Sequence, residues 1–393
     1  MSIKDDTKYE GRMRIGIDLR SLQTASQNRG IGTYTRCLIK SLLSTDKDNE
    51  YVFFVFKNMP LPSLLKGGAL KDIRVREIIQ RIKYLVWLPG QIGLPNIIKE
   101  ERLDIFHSFE HMVPVFSSVK KIITVHDFIY NDYEVYKKIN GLLRNIFFYL
   151  RDKSLKYADK IIAVSEYTKR KIMDLLKIKE DKIKVIYEAA GETFVPLMDN
   201  VSFLELKKKY NIWKDFLLYV GVIDHHKNIH GLIKAFSQVG FKEIDLVLVG
   251  PEINDDKGYF KSIKILIEKF KLKNRVHILV YVPQEDLVAL YNMAKAVISV
   301  SFYDGFGLPI LEAMACGKPV IASGNTSMRE IVDSSGILVN PYSLEEIIYA
   351  IENLLSDEEL RNLLSRKALL RAREFSWEKA ARETLLLYED LLR

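Results

Sequence analysis

The sequence predicts an α/β protein of two domains, each a parallel sheet with helices wound on both faces. Three observations carry this. The chain has 393 residues, more than one hydrophobic core usually serves, so roughly 150 to 200 residues fall to each of two domains. Short β-branched apolar runs recur, each followed by Gly, Asp, His or Ser and then a helical pattern, and this alternation gives parallel sheets covered by helices. Between Gly191 and Asn200 the rhythm breaks into GETFVPLMDN, where Pro196 interrupts any helix or central strand and marks a linker.

In chain order, the first half offers strands at Arg14–Asp18, Tyr51–Phe56, Ile105–His107, Lys121–Val125, Lys160–Val164 and Ile183–Ile186. The second half repeats the theme at Phe216–Val220, Asp245–Val249, Val276–Leu279, Ala296–Val300, Pro319–Ala322 and Gly336–Val339. Runs this apolar suit strands buried on both faces. The last segment, from Phe375, has Ser376 as a helix cap, Glu378 in the first turn and apolar residues at helical spacing, and predicts a terminal helix. The expected domains are 1–195, joined by the terminal helix 376–393, and 196–375. Open parallel sheets bind ligands at the carboxyl ends of their strands, so two such halves facing each other share a central cleft.

Composition narrows the function classes. Hydrophobic residues make up 48% and charged residues 28%, an ordinary balance that argues against extended disorder. Cys37 and Cys316 are too few and too far apart for a disulfide framework or zinc site, which fits a reducing, cytoplasmic setting. The start lacks a signal-peptide pattern, and no apolar run is long enough to span a bilayer. The net charge of +8 is concentrated between Lys137 and Lys184, where 14 Lys/Arg stand against 6 Asp/Glu. Leu142, Leu143, Ile146, Phe147, Phe148 and Leu150 lie in the same stretch. It reads either as an amphipathic helix on anionic lipid or as a solvated helix face beside a packed one. Nucleic acid is not an expected partner.

The segment Ser301 to Ser323 carries the most chemistry. A strand ends at Val300, Gly305 and Gly307 free the backbone, Pro309 suits a first helical turn, and Gly317 ends that helix. A helix N-terminus presents unpaired N–H groups and a positive dipole end, which suit a phosphate or a sugar oxygen. Asp304 in the loop and Glu312 in the helix can accept bonds from sugar hydroxyls. The same residues also read as a tight turn, a cap and a solvated glutamate, and the residues alone leave both readings open.

This segment resembles the signature of the glycosyltransferase family 4 enzymes, two acidic residues flanking Gly-Phe-Gly-Leu-Pro. The resemblance covers nearly the whole chain. It takes in Arg29-Gly-Ile-Gly-Thr-Tyr-Thr-Arg36, Thr124-Val-His-Asp127, Val164-Ser-Glu-Tyr-Thr-Lys169, Val220-Gly-Val-Ile-Asp-His-His-Lys-Asn228, Leu248-Val-Gly-Pro251 and Tyr281-Val-Pro-Gln-Glu-Asp-Leu287. It implies the GT-B architecture of two Rossmann-like domains, an N-terminal acceptor domain and a C-terminal donor domain. The implied activity moves a sugar from a nucleotide diphosphate donor with retention, with no metal or other cofactor required.

Residue by residue, the resemblance gives His126, Lys227 and Asp304 catalytic positions. Lys227 clamps the diphosphate, Asp304 contacts the donor sugar where glutamate is usual, and His126 contacts the donor sugar or places the acceptor. Gly30, Gly32, Gly250, Val282, Gly305, Phe306, Gly307, Leu308 and Glu312 fall at donor-binding positions. Among them Glu312 holds the ribose, Gly30 and Gly32 form a glycine-rich turn toward the diphosphate, Gly250 makes room for the nucleotide, and Val282 reads the base through its main chain. His226 stands where arginine is common, which weakens charge stabilisation when the ring is neutral.

The combination of Gly-Ile-Gly-Thr-Tyr, Val-His-Asp and Val-Ser-Glu-Tyr-Thr-Lys resembles bacterial mannosyltransferases and relatives that build surface polysaccharides, so GDP-mannose is the first expectation for the donor. A UDP-sugar is the alternative. The expected acceptor is a glycan or polyprenyl-linked sugar at the inner membrane face. Competing classes are an epimerase, a polymer-making synthase or phosphorylase, and a non-catalytic sugar-nucleotide-binding protein, the last motivated by Asp304 and His226. Asp46-Lys-Asp48 matches a metal-binding Asp-x-Asp but precedes a strand in the first half and reads as a turn. His107 and His111 surround a strand end rather than a helix face and make a poor zinc pair.

Overall fold

All twelve of these apolar runs form strands in a computed structural model, which describes residues 11–57, 59–62, 74–78, 93–110, 112–128, 142–198, 201–251 and 258–393. The described residues form two compact units. One takes the residues up to Phe128, those up to Glu188 and Trp377–Arg393, and the other takes Ala189–Ser376.

The first unit holds β1 (Arg14–Asp18), β2 (Glu50–Phe56), β3 (Arg74–Ile78), β4 (Ile105–Ser108), β5 (Lys120–Val125), β6 (Lys160–Ala163) and β7 (Ile183–Val185). Its sheet runs β3-β2-β1-β4-β5-β6-β7 with every pair parallel. The second holds β8 (Phe216–Val220), β9 (Asp245–Val249), β10 (Val276–Leu279), β11 (Ala296–Ser299), β12 (Val320–Ser323) and β13 (Ile337–Val339), in the order β10-β9-β8-β11-β12-β13, also parallel. Each sheet therefore reverses its strand order once, between β1 and β4 and between β8 and β11. At such a switch point the loops leaving the two strands turn to opposite faces and open a crevice at the carboxyl ends.

The edge strand β3 has no counterpart among the predicted runs. Its sequence RVREI has two apolar residues, Val75 is partly exposed, and among the described residues it pairs only with β2. An edge strand covered on one side tolerates charges that a central strand does not. The central strands are the opposite case: Phe53, Phe54 and Phe56 of β2 are fully buried, each contributing about 1.5 to 3 kcal/mol of apolar transfer.

Helices used below are α1 (Gly30–Thr45), α2 (Leu94–Glu100), α3 (Leu142–Tyr157), α4 (Glu166–Leu176), α5 (Val201–Tyr210), α6 (Ile229–Gln238), α7 (Tyr259–Lys269), α8 (Gln284–Met293), α9 (Leu308–Ala315), α10 (Met328–Val332), α11 (Leu344–Ser356), α12 (Glu358–Ala372) and α13 (Trp377–Leu392). The terminal helix α13 returns to the first unit. Its Tyr388 hydroxyl lies 2.6 Å from His107 Nδ1, whose Nε2 lies 2.9 Å from Thr124 Oγ1, and Trp377 packs edge-on against Tyr34. Burial, reinforced by His126, drives the His107 pKa down to about 3, so this ring is a neutral structural link. Among the described residues no helix is long and apolar enough to cross a membrane.

Candidate functional site

In the second unit, the chain leaving β8 forms a short 3-10 turn, His225–Lys227, opened by the Asp224 side chain on the His225 N–H. Asn228 then adopts a left-handed conformation, caps α6 through the Gly231 N–H, and donates from Nδ2 to the carbonyls of Val300 (3.1 Å) and Pro341 (2.8 Å). That side chain fixes the β8 loop to the loops following β11 and β13. Lys227 Nζ consequently meets Asp304 Oδ2 at 2.6 Å, both side chains about 15% exposed. Two residues 77 apart in sequence are thus joined at the switch point of this sheet.

Asp304 is fixed from its other end, where its carbonyl accepts from Ser327 Oγ at 2.9 Å. Phe306 is buried and meets Phe375 edge-on. Gly307 caps α9 at φ +101°, and a Cβ there would stand 2.7 Å from Met328 Cγ. Pro309 has no N–H, and those of Ile310 and Leu311 both bond the Gly307 carbonyl. The N–H groups of Gly307 and Leu308 are what this helix end has left to offer a ligand. At the other end a left-handed Gly317 closes the helix, with its N–H on Met314 O and that of Lys318 on Ala313 O.

Glu312, one turn into α9, is buried and accepts from Tyr291 Oη at 2.9 Å. Burial and the adjacent carboxylate raise the Tyr291 phenol well above its ordinary range, so it stays a donor. Burial also lowers His226, against the opposing pull of Asp224, which keeps the ring neutral near pH 7. Lys227 is the one Lys or Arg between Gly221 and Asn228.

Two glycine expectations are sharpened. A Cβ on Gly250 would fall 1.8 Å from Gly221 O, so the space its missing side chain leaves is filled by the neighbouring loop rather than held open. Gly30 and Gly32 form no separate turn: α1 begins at Gly30, and a Cβ on Gly32 would lie 2.3 Å from Gln27 O. The first-turn N–H groups of α1 remain the groups a ligand would meet. Val282 lies half-buried between β10 and α8.

In the first unit, His126 follows β5, is 7% exposed, and holds Glu188 Oε1 at 3.0 Å through Nδ1. The Tyr34 ring lies edge-on to it at 4.7 Å. Its Nε2 is buried and has no hydrogen-bond partner among the described residues. An unsatisfied buried imidazole nitrogen costs free energy unless a ligand completes it.

Asp46 of the Asp-x-Asp pair ends α1 and accepts from the N–H groups of Asp48 and Asn49 and from Tyr51 Oη, so it organises a turn. His111 lies outside the described residues. Among the described residues no group of three His, Cys, Asp or Glu is placed to hold a metal.

A model of the group 1 glycosyl transferases matches residues 203–371, and a model of glycosyltransferase family 4 matches residues 29–189. The chain belongs to the family 4, group 1 glycosyltransferases. The O-antigen chain mannosyltransferase B of Escherichia coli is 32% identical over 242 residues, 61% of this chain and 62% of that protein. The serotype-specific mannosyltransferase WbdA of Escherichia coli is 30% identical over 60% of the chain but only 29% of its own length. The match thus spans less than two thirds of either relative. The O-antigen chain mannosyltransferase RfbU of Salmonella typhimurium is 28% identical over 78% of each chain. Among solved structures, sucrose-phosphate synthase of Thermosynechococcus elongatus superposes with a TM-score of 0.78 at 20% identity, covering 97% of this chain and 99% of that one. HepE of Anabaena, solved with UDP and glucose, gives 0.77 at 18% identity over 95% and 98%. The fold of this chain is GT-B, with two Rossmann-like domains.

Several residues at its strand ends escaped the sequence reading. Tyr291 is apolar-looking helix content until its hydroxyl is seen on Glu312. Asp18, Arg20, Glu110 and Glu188 stand at or just beyond strands of the first sheet; the only available signal was the Asp-Leu-Arg that closes β1.

Proposed function

We propose that this protein transfers a hexose, mannose as the first assignment, from a nucleotide diphosphate sugar to a glycan or polyprenyl-linked acceptor, with retention of configuration and no required metal. The observation that carries the reading is the Lys227–Asp304 pair at the switch point of the second sheet, beside the N-terminus of α9. A cation, a carboxylate and a positive helix end at one crevice suit a diphosphate bearing a sugar. Lys227 and the Gly307 and Leu308 N–H groups offset charge developing on the leaving phosphate. That phosphate takes the proton of the attacking acceptor hydroxyl on the same face of the sugar. Asp304, released in part from Lys227 when the diphosphate arrives, accepts from a sugar hydroxyl. Glu312 accepts from the ribose, with Tyr291 orienting it. The chain at Gly250 and Val282 lies along the base, and Gly305 and Phe306 shape the sugar side. Gly30 and Gly32 offer N–H groups to the diphosphate and His126 offers Nε2 to a sugar.

Mannose rests on the mannosyltransferases to which the chain is similar. The UDP-sugar alternative draws on HepE, solved with UDP and glucose. A cytoplasmic enzyme touching the inner membrane face is in keeping with α3, whose exposed side chains include Ile146, Tyr149, Lys153, Lys156 and Tyr157. The test is incubation with GDP-mannose or UDP-glucose and a polyprenyl-diphosphate-linked oligosaccharide. One added hexose from GDP-mannose is expected. Transfer from UDP-glucose alone would overturn the mannose assignment, and transfer from neither would favour a non-catalytic binding protein.

A further inference from the structure

The switch point of the first sheet lies between β1 and β4, and the residues leaving these two strands are Asp18, Arg20 and Glu110. Arg20 is 7% exposed and is clamped to Asp18 through Nε (2.8 Å) and Nη2 (2.5 Å), while its backbone N–H also bonds Asp18. Two of the three guanidinium nitrogens are thereby committed. Nη1 is buried without a hydrogen-bond partner among the described residues, as is Nε2 of His126 at the end of neighbouring β5. Glu110 is half-buried and lies within electrostatic reach of Asp18, Arg20 and His126. Two orphaned polar atoms beside a half-buried carboxyl at one switch point make an incomplete hydrogen-bond network, which a polar ligand completes.

The charges indicate what kind of ligand. Asp18 cancels Arg20, and Glu188 cancels His126 even when that ring is protonated. Glu110 adds no positive charge in either protonation state. Such a set has no net positive charge with which to hold a phosphate or carboxylate, but its donors and acceptors match hydroxyl groups.

We propose that Arg20 Nη1, the Glu110 carboxyl and His126 Nε2 form a subsite in the first unit for the uncharged, hydroxyl-bearing end of the acceptor glycan, and that Asp18 acts as a positioning residue by holding the guanidinium. The proposal rests on the glycosyl-transfer reading above. In it, Glu110 accepts from an acceptor hydroxyl and Arg20 donates to a second oxygen of the same ring.

The test measures KM for acceptor and donor separately, together with hydrolysis of the sugar nucleotide without acceptor, in wild type, Arg20→Lys and Glu110→Gln. Glu110→Gln keeps the size of the side chain and serves if Arg20→Lys fails to fold. Each folded variant is expected to raise the acceptor KM at least about tenfold while donor KM and donor hydrolysis stay within about twofold of wild type. An acceptor whose terminal sugar carries a phosphate is expected to bind wild type more weakly than its uncharged counterpart. An unchanged acceptor KM, or a rise in donor and acceptor KM together, would overturn the subsite. Absence of transfer and hydrolysis in wild type itself would instead overturn the reading on which it rests.

Discussion

The pairing of Lys227 with Asp304 changes what either side chain can do alone. A lysine in a glycine-flanked loop looks like a solvated surface group, and Asp304 looks like a helix cap. Joined at 2.6 Å, they hold each other partly buried, so that in the proposed reading a ligand phosphate would meet a pre-placed ammonium. Glu110 gives the residue scale a pH signature. Burial and the nearby Asp18 push its carboxyl up to about 7 from an ordinary 4.5, outweighing the lowering by Arg20, His126 and the Ser26 hydroxyl. The folded protein then keeps a proton that the unfolded chain has released. Its contribution to stability is fully present below about pH 4.5 and is lost as pH rises through about 7. The melting temperature of wild type relative to that of Glu110→Gln should fall as pH rises across that window, and a pH-independent difference would contradict this. Neither Glu110 nor Arg20 stood out beforehand, because a charged residue beyond a strand reads as surface; only its neighbours reveal an unsatisfied nitrogen. His126 was legible through its place in Thr-Val-His-Asp, and its bond to Glu188, 62 residues away, was not.

At the scale of elements, strands buried on both faces were legible because apolar runs this short, bounded by turn residues, suit the interior of a parallel sheet. The charged edge strand β3 was not, since its pattern is that of an exposed loop. Glycines divide the same way. Gly307 at the start of α9 could be read from the strand-loop-helix pattern, whereas the close approach of Gly250 to Gly221 depends on two strands lying side by side. Gly250→Ala sets a Cβ against a backbone oxygen that cannot swing away, and should cost about 3 kcal/mol or more. Gly258→Ala, at φ +100° with nothing within 4 Å of the added carbon, meets only the left-handed penalty, about 1 to 2 kcal/mol. Denaturant titration of both variants compares them directly, and equal losses would mean that the β8 and β9 loops are not packed as described.

For the whole molecule, the division into two units and the reversal of strand order in each explain why functional side chains sit where they do. Lys227 and Asp304 leave the two strands at one reversal, and Asp18, Arg20 and Glu110 leave the two at the other. The alternation of strands and helices was legible, but strand order was not, because it is set by which sheet edges the helices cover. The exposed aromatic and basic side chains of α3 are the basis of the proposed contact with the membrane face. If they touch anionic lipid, the protein should cosediment with phosphatidylglycerol vesicles at low salt and be released near 0.5 M salt, a concentration at which the screening length falls to about 4 Å. Equal recovery with neutral vesicles, or none with either, would confine the role of α3 to packing. The central claim, that the second unit binds a nucleotide diphosphate sugar through Lys227 and Glu312, is tested most directly by thermal shift with GDP, UDP, ADP and their sugar derivatives on wild type, Lys227→Ala and Glu312→Ala. The account predicts a rise in Tm selective for GDP and GDP-mannose, with affinity at least about tenfold weaker in each variant, roughly 1.4 kcal/mol; no shift with any nucleotide, or full shifts in both folded variants, would contradict it.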